Sequence, residues 1–290
     1  MCTLKGYLLY EPNDAIKNMG FIDLFMEESK RRCIALSLLL TTDERLLVHV
    51  SAESLGNPDF IINRSRFPLL SHALEDAGIR VFNSAKVCEI CNDKQRTYEY
   101  LKEYGILFMD TRYPQNPSDG KAAREFGYPF VLKPADGHGG MHVGLILNER
   151  ELYQALSELK KDYGTIPKLV FQRCASDIGK DLRVYVLGGK VIAGMMRTCA
   201  DPQPQSTEIR ANFSLGGTAA SHILTKEETA LTERISAALP ADLVGIDFIY
   251  HNGQPIFNEI EDVVGTRMLY AYTTINIVKE YLGYVMEKLK

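Results

Sequence analysis

Long apolar runs, a leader-like start, clustered metal-binding thiols and internal repeats are all missing from this 290-residue sequence. The longest mostly apolar stretch, Cys33 to Leu40 with Ser37 inside it, falls far short of the roughly 20 residues a membrane-spanning helix needs. The opening, Met1-Cys2-Thr3-Leu4-Lys5-Gly6, lacks the basic-then-apolar pattern of a secretory signal. Cysteines number six, at 2, 33, 88, 91, 174 and 199. Only Cys88 and Cys91 stand close together, and no second pair or histidine cluster completes a zinc site, so they read as ordinary reduced thiols. Positive charge is not in excess either. Lysine and arginine total 33 against 37 acids, a net charge of −4, which gives no support for binding nucleic acid or an anionic membrane. What remains is 46% apolar and 24% charged, ordinary for a soluble, cytoplasmic protein, in a chain long enough for two or three small domains.

The most informative stretch is 243–262, Leu-Val-Gly-Ile-Asp-Phe-Ile-Tyr-His-Asn-Gly-Gln-Pro-Ile-Phe-Asn-Glu-Ile-Glu-Asp. Two apolar runs flank an Asn-Gly pair, the signature of a β-hairpin. Each run carries carboxylate where a buried strand should be apolar: Asp247 in the first, Glu259 and Glu261 in the second. Glu259 and Glu261 are two residues apart and project from one face. A three-residue connection puts Asp247 opposite Glu259, whereas a two-residue turn puts it opposite Asn258. Three acids on one half-buried face repel unless a cation sits among them, and few, hard oxygen ligands suit Mg²⁺ shared with substrate phosphates. The competing reading is the solvated outer face of an edge hairpin.

Upstream, strands at 6–10, 33–40, 46–50, 59–64 and 79–82 alternate with helices at 13–32 and 68–77, which predicts a parallel, layered α/β domain over about the first 90 residues. Ligands sit beyond the carboxyl ends of such strands. Asn63 and Arg64 stand there, either facing a shared cleft or capping the next loop. Asn92 or Asp93 caps a helix running to about Tyr104, with Lys94 pointing outward near its start. The strand 128–134 contains Lys133 and breaks into Ala-Asp-Gly-His-Gly-Gly-Met-His-Val-Gly at 135–144. This glycine-rich hairpin loop can bring backbone N–H groups close to phosphate oxygens, although neither the P-loop nor the dinucleotide spacing is present. A lysine ending a buried strand needs an anion, and a nucleotide phosphate is a natural one. A helix at 149–163, a strand at 168–172, a hairpin over 181–197 turning at Gly188-Gly189, and helices at 225–238 and 274–290 complete the outline. Asp181, Arg183 and Tyr185 share one strand face.

In order, Asp-x-x-Ile-Asn-Arg at 59–64, Asn-Asp-Lys at 92–94, the lysine strand and glycine loop at 130–144, Asp-x-Arg at 181–183, Arg-x-Asn then Gly-Gly at 210–217, and the acids at 247 and 259 resemble an ATP-grasp ligase. More narrowly they resemble the RimK-like amino-acid ligases, which include a glutamate ligase modifying a ribosomal protein. The resemblance covers essentially the whole chain. It implies an α/β (α+β) fold in three parts: an N-terminal parallel-sheet domain over 1–91, a small central lid over 92–169, and a C-terminal antiparallel-sheet domain with the metal site over 170–290. It also implies ATP with two Mg²⁺ ions, Mn²⁺ being an allowed substitute. On this resemblance Lys94 and Lys133 contact the triphosphate, and the loop of Gly137, His138, Gly139 and Gly140 closes over it. Gln172, Arg173, Cys174 and Ala175 form the segment reading the adenine edge, although Arg173 stands where the family usually has an acid. Asp181 and Arg183 match a pair near the ribose and the transferred phosphate. Arg183, Arg210 and Asn212 are suited to an acyl phosphate or substrate carboxylate, and Arg197 joins them as a catalytic candidate, each arginine being equally suited to a structural ion pair.

Asp247 and Glu259 match two metal ligands. The third is usually asparagine, and here it is Glu261, followed by Asp262-Val263-Val264-Gly265-Thr266-Arg267 in place of a run of small residues. The added charge either tightens the metals or slows turnover, with Arg267 placed to balance it. The expected activity is an ATP-dependent carboxylate–amine ligase working through an acyl phosphate and adding an amino acid to a small molecule, peptide or protein. Its expected partners are ATP, a carboxylate and an amine, in a homodimer or homotetramer, with no nucleic acid and no membrane. The alternatives are a nucleotide-binding regulator with a degenerate metal motif and a phosphotransferase.

Overall fold

The computed structural model describes residues 4–47, 49–199 and 218–290. Three sheets carry the architecture. The first is parallel, ordered β2-β1-β3-β4, from β1 (Leu4–Tyr10), β2 (Ile34–Leu40), β3 (Phe60–Arg64) and β4 (Arg80–Phe82). The second is antiparallel, ordered β5-β8-β6-β7, from β5 (Thr111–Arg112), β6 (Phe130–Pro134), β7 (Gly144–Ile146) and β8 (Leu169–Gln172). The third is antiparallel, ordered β11-β10-β9-β12-β13, from β9 (Asp177–Leu187), β10 (Lys190–Thr198), β11 (Thr218–His222), β12 (Leu243–His251) and β13 (Gln254–Glu261). This mixture of one parallel and two antiparallel sheets is the α/β (α+β) class expected of the sequence. No helix among the described residues is long and apolar enough to cross a membrane.

The structure departs from the outline at several places, and it adds the helix Ala85–Cys91 and the strands β5 and β11. The strand expected at 46–50 is not found: a short helix spans Glu44–Leu47, and the parallel sheet has four strands among the described residues. Asn18 interrupts the first helix and divides it into Pro12–Lys17 and Met19–Arg31. A short helix, Arg267–Tyr272, precedes the last one, Ile277–Lys288. The helix Lys94–Glu103 is capped by Asp93, whose Oδ1 accepts from the backbone N–H of Gln95 at 2.9 Å and Arg96 at 3.2 Å. Lys94 nevertheless does not point outward; it is buried, because the capped end abuts β13 and the glycine loop.

The parallel sheet and the third sheet share one apolar core. Leu8, Tyr10, Phe25, Phe60 and Phe82 pack with Tyr185, Leu243, Leu269, Tyr281 and Leu282. Buried Asn83 stitches the same two layers, accepting from the backbone N–H of Asp242 at 2.6 Å and Leu243 at 3.1 Å and donating to the Leu243 carbonyl at 2.8 Å. An amide that satisfies several buried backbone groups fixes its neighbours. Asn83 also donates to the Asp262 carbonyl at 3.3 Å, and so sets both ends of the β12–β13 hairpin against the N-terminal layer. Cys88 and Cys91 are buried free thiols, and burial raises both, Cys88 to about 12.

Candidate active site

The hairpin that carries the acids resolves its register in an unexpected way. The turn is the two-residue one, Asn252-Gly253 between paired His251 and Gln254, yet Asp247 faces Glu259. A β-bulge reconciles the two: Phe248 pairs with Phe257, and Asn258 is the extra residue before the Asp247–Glu259 pair. A bulge re-aims side chains next to it. One ligand oxygen each from Asp247, Glu259 and Glu261 lies within 4.8 Å of the others. The donor set is all carboxylate, which fits a hard divalent cation such as Mg²⁺.

Cations surround these acids. Asp247, buried in the centre of the sheet, accepts from Arg183 Nε and Nη2 at 2.7 Å each and from Arg197 Nη2 at 2.7 Å. Burial works to raise the Asp247 carboxyl, and the two guanidiniums overcome it, lowering it to about 2. Arg197 also pairs with Asp181 across the β9–β10 ladder, donating from Nη2 at 2.9 Å. Arg183 Nη2 reaches Glu261 at 2.8 Å, so Arg183, and not Arg267, balances the added acid. Arg267 donates instead to the Lys17 carbonyl at 3.1 Å. Burial, only partly offset by Arg183, raises the Glu261 carboxyl above its ordinary value.

Two lysines reach the site from outside the sheet. Lys94 Nζ pairs with Glu259 at 2.8 Å and also donates to the Gly137 carbonyl. Lys133 Nζ donates to Gln172 Oε1 at 2.8 Å and Asn258 Oδ1 at 2.9 Å, with no carboxylate in ion-pair contact among the described residues. Burial therefore lowers the Lys133 ammonium from 10.5 to about 8. The glycine loop joins β6 to β7, with Gly139 and Gly140 at φ of 65° and 74°, a backbone region that glycine enters without penalty. His138 stands in that loop, and burial followed by the nearby Arg66 charge lowers its imidazole.

Two cavities meet at the acids. The smaller, about 120 Å³, lies between Lys133, Gly140 and the segment Gln172, Arg173, Cys174 and Ala175. The larger, about 730 Å³, extends to the parallel sheet, where Arg64, Arg66, His138 and Gly139 line it. Lys94, Gly137, Arg197, Glu259 and Glu261 line both. The Arg173 side chain turns away, donating to the carbonyls of Phe126 and, at 2.7 Å, Gly127, which leaves the segment's backbone along the cavity. Arg210 and Asn212 lie outside the described residues. The sequence reading missed Asn258 and Tyr98: the Tyr98 hydroxyl donates to the Asn258 carbonyl at 2.6 Å and accepts from Gln172 Nε2 at 3.1 Å. A buried lysine with only a glutamine in its own sheet was the available hint that a further acceptor was required.

A family model, RimK-like ATP-grasp domain, matches residues 91–285, well over half of the chain. A probable alpha-L-glutamate ligase of Legionella pneumophila (strain Corby) is 27% identical over 219 residues, covering 75% of this chain and 70% of that protein. N-acetylaspartylglutamate synthase A of Homo sapiens is 31% identical over 215 residues, covering 73% of this chain and 51% of that one. A D-alanine–D-alanine ligase of Bacillus anthracis, solved with ATP, superposes with a TM-score of 0.74 at 14% identity, covering 99% of this chain and 97% of that one. The ATP-grasp ligase PsnB, solved with its minimal precursor, Mg and ADP, gives 0.68 at 14% identity, covering 100% and 99%. The chain belongs to the RimK-like ATP-grasp family and is an ATP-grasp ligase.

Proposed function

We propose that the chain joins a substrate carboxylate to the amine of an amino acid in the cytoplasm, with ATP driving the reaction through an acyl phosphate. The carboxylate oxygen attacks the γ-phosphorus and ADP leaves; the amine nitrogen then attacks the acyl carbon and phosphate leaves, the amine giving up its proton. The triphosphate occupies the smaller cavity, with Lys133 and Lys94 beside it and Gly137, His138, Gly139 and Gly140 over it. Gln172, Arg173, Cys174 and Ala175 border the base, and Asp181 the sugar. Asp247, Glu259 and Glu261 hold two Mg²⁺ ions, or Mn²⁺, which when bound supply Lewis acidity and a template for the phosphates. Arg183 and Arg197 stand where negative charge grows during transfer, the place where preorganised cations lower a barrier most. Arg210 and Asn212 belong to the same proposal by position in the sequence alone.

One observation carries this reading: one carboxylate oxygen from each of Asp247, Glu259 and Glu261 lies within 4.8 Å of the others beside the lysine-lined cavity, and Glu259 and Glu261 line the larger cavity as well. The test is to incubate the protein with ATP, Mg²⁺ and pooled acids and amino acids, following ADP, phosphate and products by mass. An amide formed in step with ADP is expected, and Asp247→Asn should abolish it. A phosphorylated product that accumulates with no amide refutes the reading.

A further inference from the structure

Buried cations require anions, and the cations lining the larger cavity can be checked one by one. Lys17 and Arg66 share Asp14, at 3.6 Å and 2.6 Å. Lys94 has Glu259, Arg183 has Asp247 and Glu261, and Arg197 has Asp181 and Asp247. Arg267 is exposed and bound to a backbone carbonyl. Arg64 differs from all of these. It is only 4% exposed, its Nη2 donates to the Val264 carbonyl at 2.8 Å, its Nε has no partner, and no carboxylate forms an ion pair with it among the described residues. Asp262, a buried carboxyl, feels the charges of Arg66 and Arg64, but it forms no ion pair with Arg64 among the described residues, and its Oδ1 accepts from Asn92 Nδ2 at 3.1 Å. Neighbouring Asn63 does cap its loop, accepting from the Ser65 N–H at 2.8 Å, so the two residues have parted roles.

A buried guanidinium with no carboxylate hydrogen-bonded to it is costly, and an arriving anion that pairs with it offsets that cost. Arg64 closes the carboxyl end of β3 in a parallel sheet, the edge at which such sheets bind ligands. Its guanidinium sits 5.4 Å from the Phe21 ring centroid, a contact that takes up one face of the group and none of its donors. It lines the larger cavity and not the smaller, so it is set apart from the lysines assigned to the triphosphate. The reacting carboxyl belongs where the two cavities meet, beside the acids. The geometry points to Arg64 as the anchor for a carboxylate that the reaction leaves untouched. That carboxylate is a second acid group on the activated substrate or the free carboxylate of the amino acid. The assignment rests on the ligase reading above.

The test uses the full chain with Mg²⁺ and a non-hydrolysable ATP analogue, with affinities from calorimetry. One arm compares succinate with butyrate and the other compares alanine with ethylamine. The wild type should prefer the carboxylate-bearing member at least roughly 10-fold in one arm, which identifies the source of the group. Arg64→Met should lose that preference while keeping the analogue's affinity, and Arg64→Lys should keep part of it. The ligand-free Met variant should melt no lower than the wild type, because a purely structural arginine would cost stability on removal. Preference in neither arm, preference that survives Arg64→Met, or a melting point several degrees lower in that variant overturns the assignment. Failure of the wild type to bind the analogue strikes the ligase reading instead, and carboxylate preference lost with Arg64 then stands by itself.

Discussion

Lys133 offers the sharpest test, because its burial makes a prediction in two independent measurements. In the unfolded chain the ammonium keeps its proton up to about 10.5, and in the ligand-free fold burial lowers that to about 8. Between those values the unfolded state binds more protons, so stability rises as pH rises. The penalty of the buried charge is fully present below about pH 8 and fades towards pH 10.5. Integrated from pH 7 to pH 10, one such group makes the fold about 2.5 kcal/mol more stable. Tyrosines and cysteines titrate in the same range, so the quantity to measure is the wild type minus Lys133→Met, by urea unfolding at each pH. The variant also leaves Gln172 Oε1 and Asn258 Oδ1 without their donor, a cost independent of pH that cancels in the slope. The nucleotide supplies the second readout. A triphosphate beside Lys133 favours the charged form, so binding takes up a proton above pH 8, and Mg-ATP affinity should fall by up to about 10-fold per pH unit there. In Lys133→Met, affinity should be weak and without that slope. A difference curve flat to within about 0.5 kcal/mol, together with nucleotide affinity indifferent to pH, would refute the argument that burial sets this lysine's charge.

Asp247→Asn removes the carboxylate shared by two buried arginines and should cost about 3–5 kcal/mol in chemical denaturation, alongside a fall in amide formation of at least roughly 100-fold. Glu261→Gln keeps the volume, and Arg183 retains its two bonds to Asp247. The variant should fold within about 1 kcal/mol of the wild type, while the Mg²⁺ midpoint of the reaction rises about 10-fold; an unchanged midpoint would remove Glu261 from the metal site. Gly245→Ala places a Cβ 2.5 Å from Val264 Cγ2 and 3.5 Å from Arg183 Cδ. Overpacking should cost about 1–3 kcal/mol in the melting transition, and because the Val264 carbonyl holds Arg64, carboxylate affinity should weaken with it.

How much of this was legible in the sequence depended on whether local chemistry or tertiary contact set the outcome. Helix 149–163 is set by local signals, an asparagine cap whose side chain accepts from Glu151 N–H and a glycine at its end, and both ends could be read directly. The strand predicted at 46–50 failed because a run of apolar residues does not distinguish a strand from a short buried helix. Lys94 was misjudged because a helix start is ordinarily solvated. Here the glycine loop and Glu259 close over it from segments 43 and 165 residues away, and no local pattern reports such a closure.

The hairpin at 243–262 shows where the limit lies. Its strands, its Asn-Gly turn and its acids are all visible in the residues, yet the facing of Asp247 is not, because side-chain alternation fixes register only where the strand is uninterrupted. Counting back from the two-residue turn pairs Asp247 with Asn258, and the observed pair is Asp247 with Glu259. The inserted residue does more than correct the count. Asn258 supplies an acceptor to Lys133 Nζ at 2.9 Å, and its carbonyl takes the Tyr98 hydroxyl at 2.6 Å. A single irregularity in the ladder thus brings the acids face to face and ties Lys133 to the same strand. Bulges of this kind are built from backbone geometry that many residue types can adopt. The part of the site hardest to read from the sequence is therefore the part that couples the acids to the lysine.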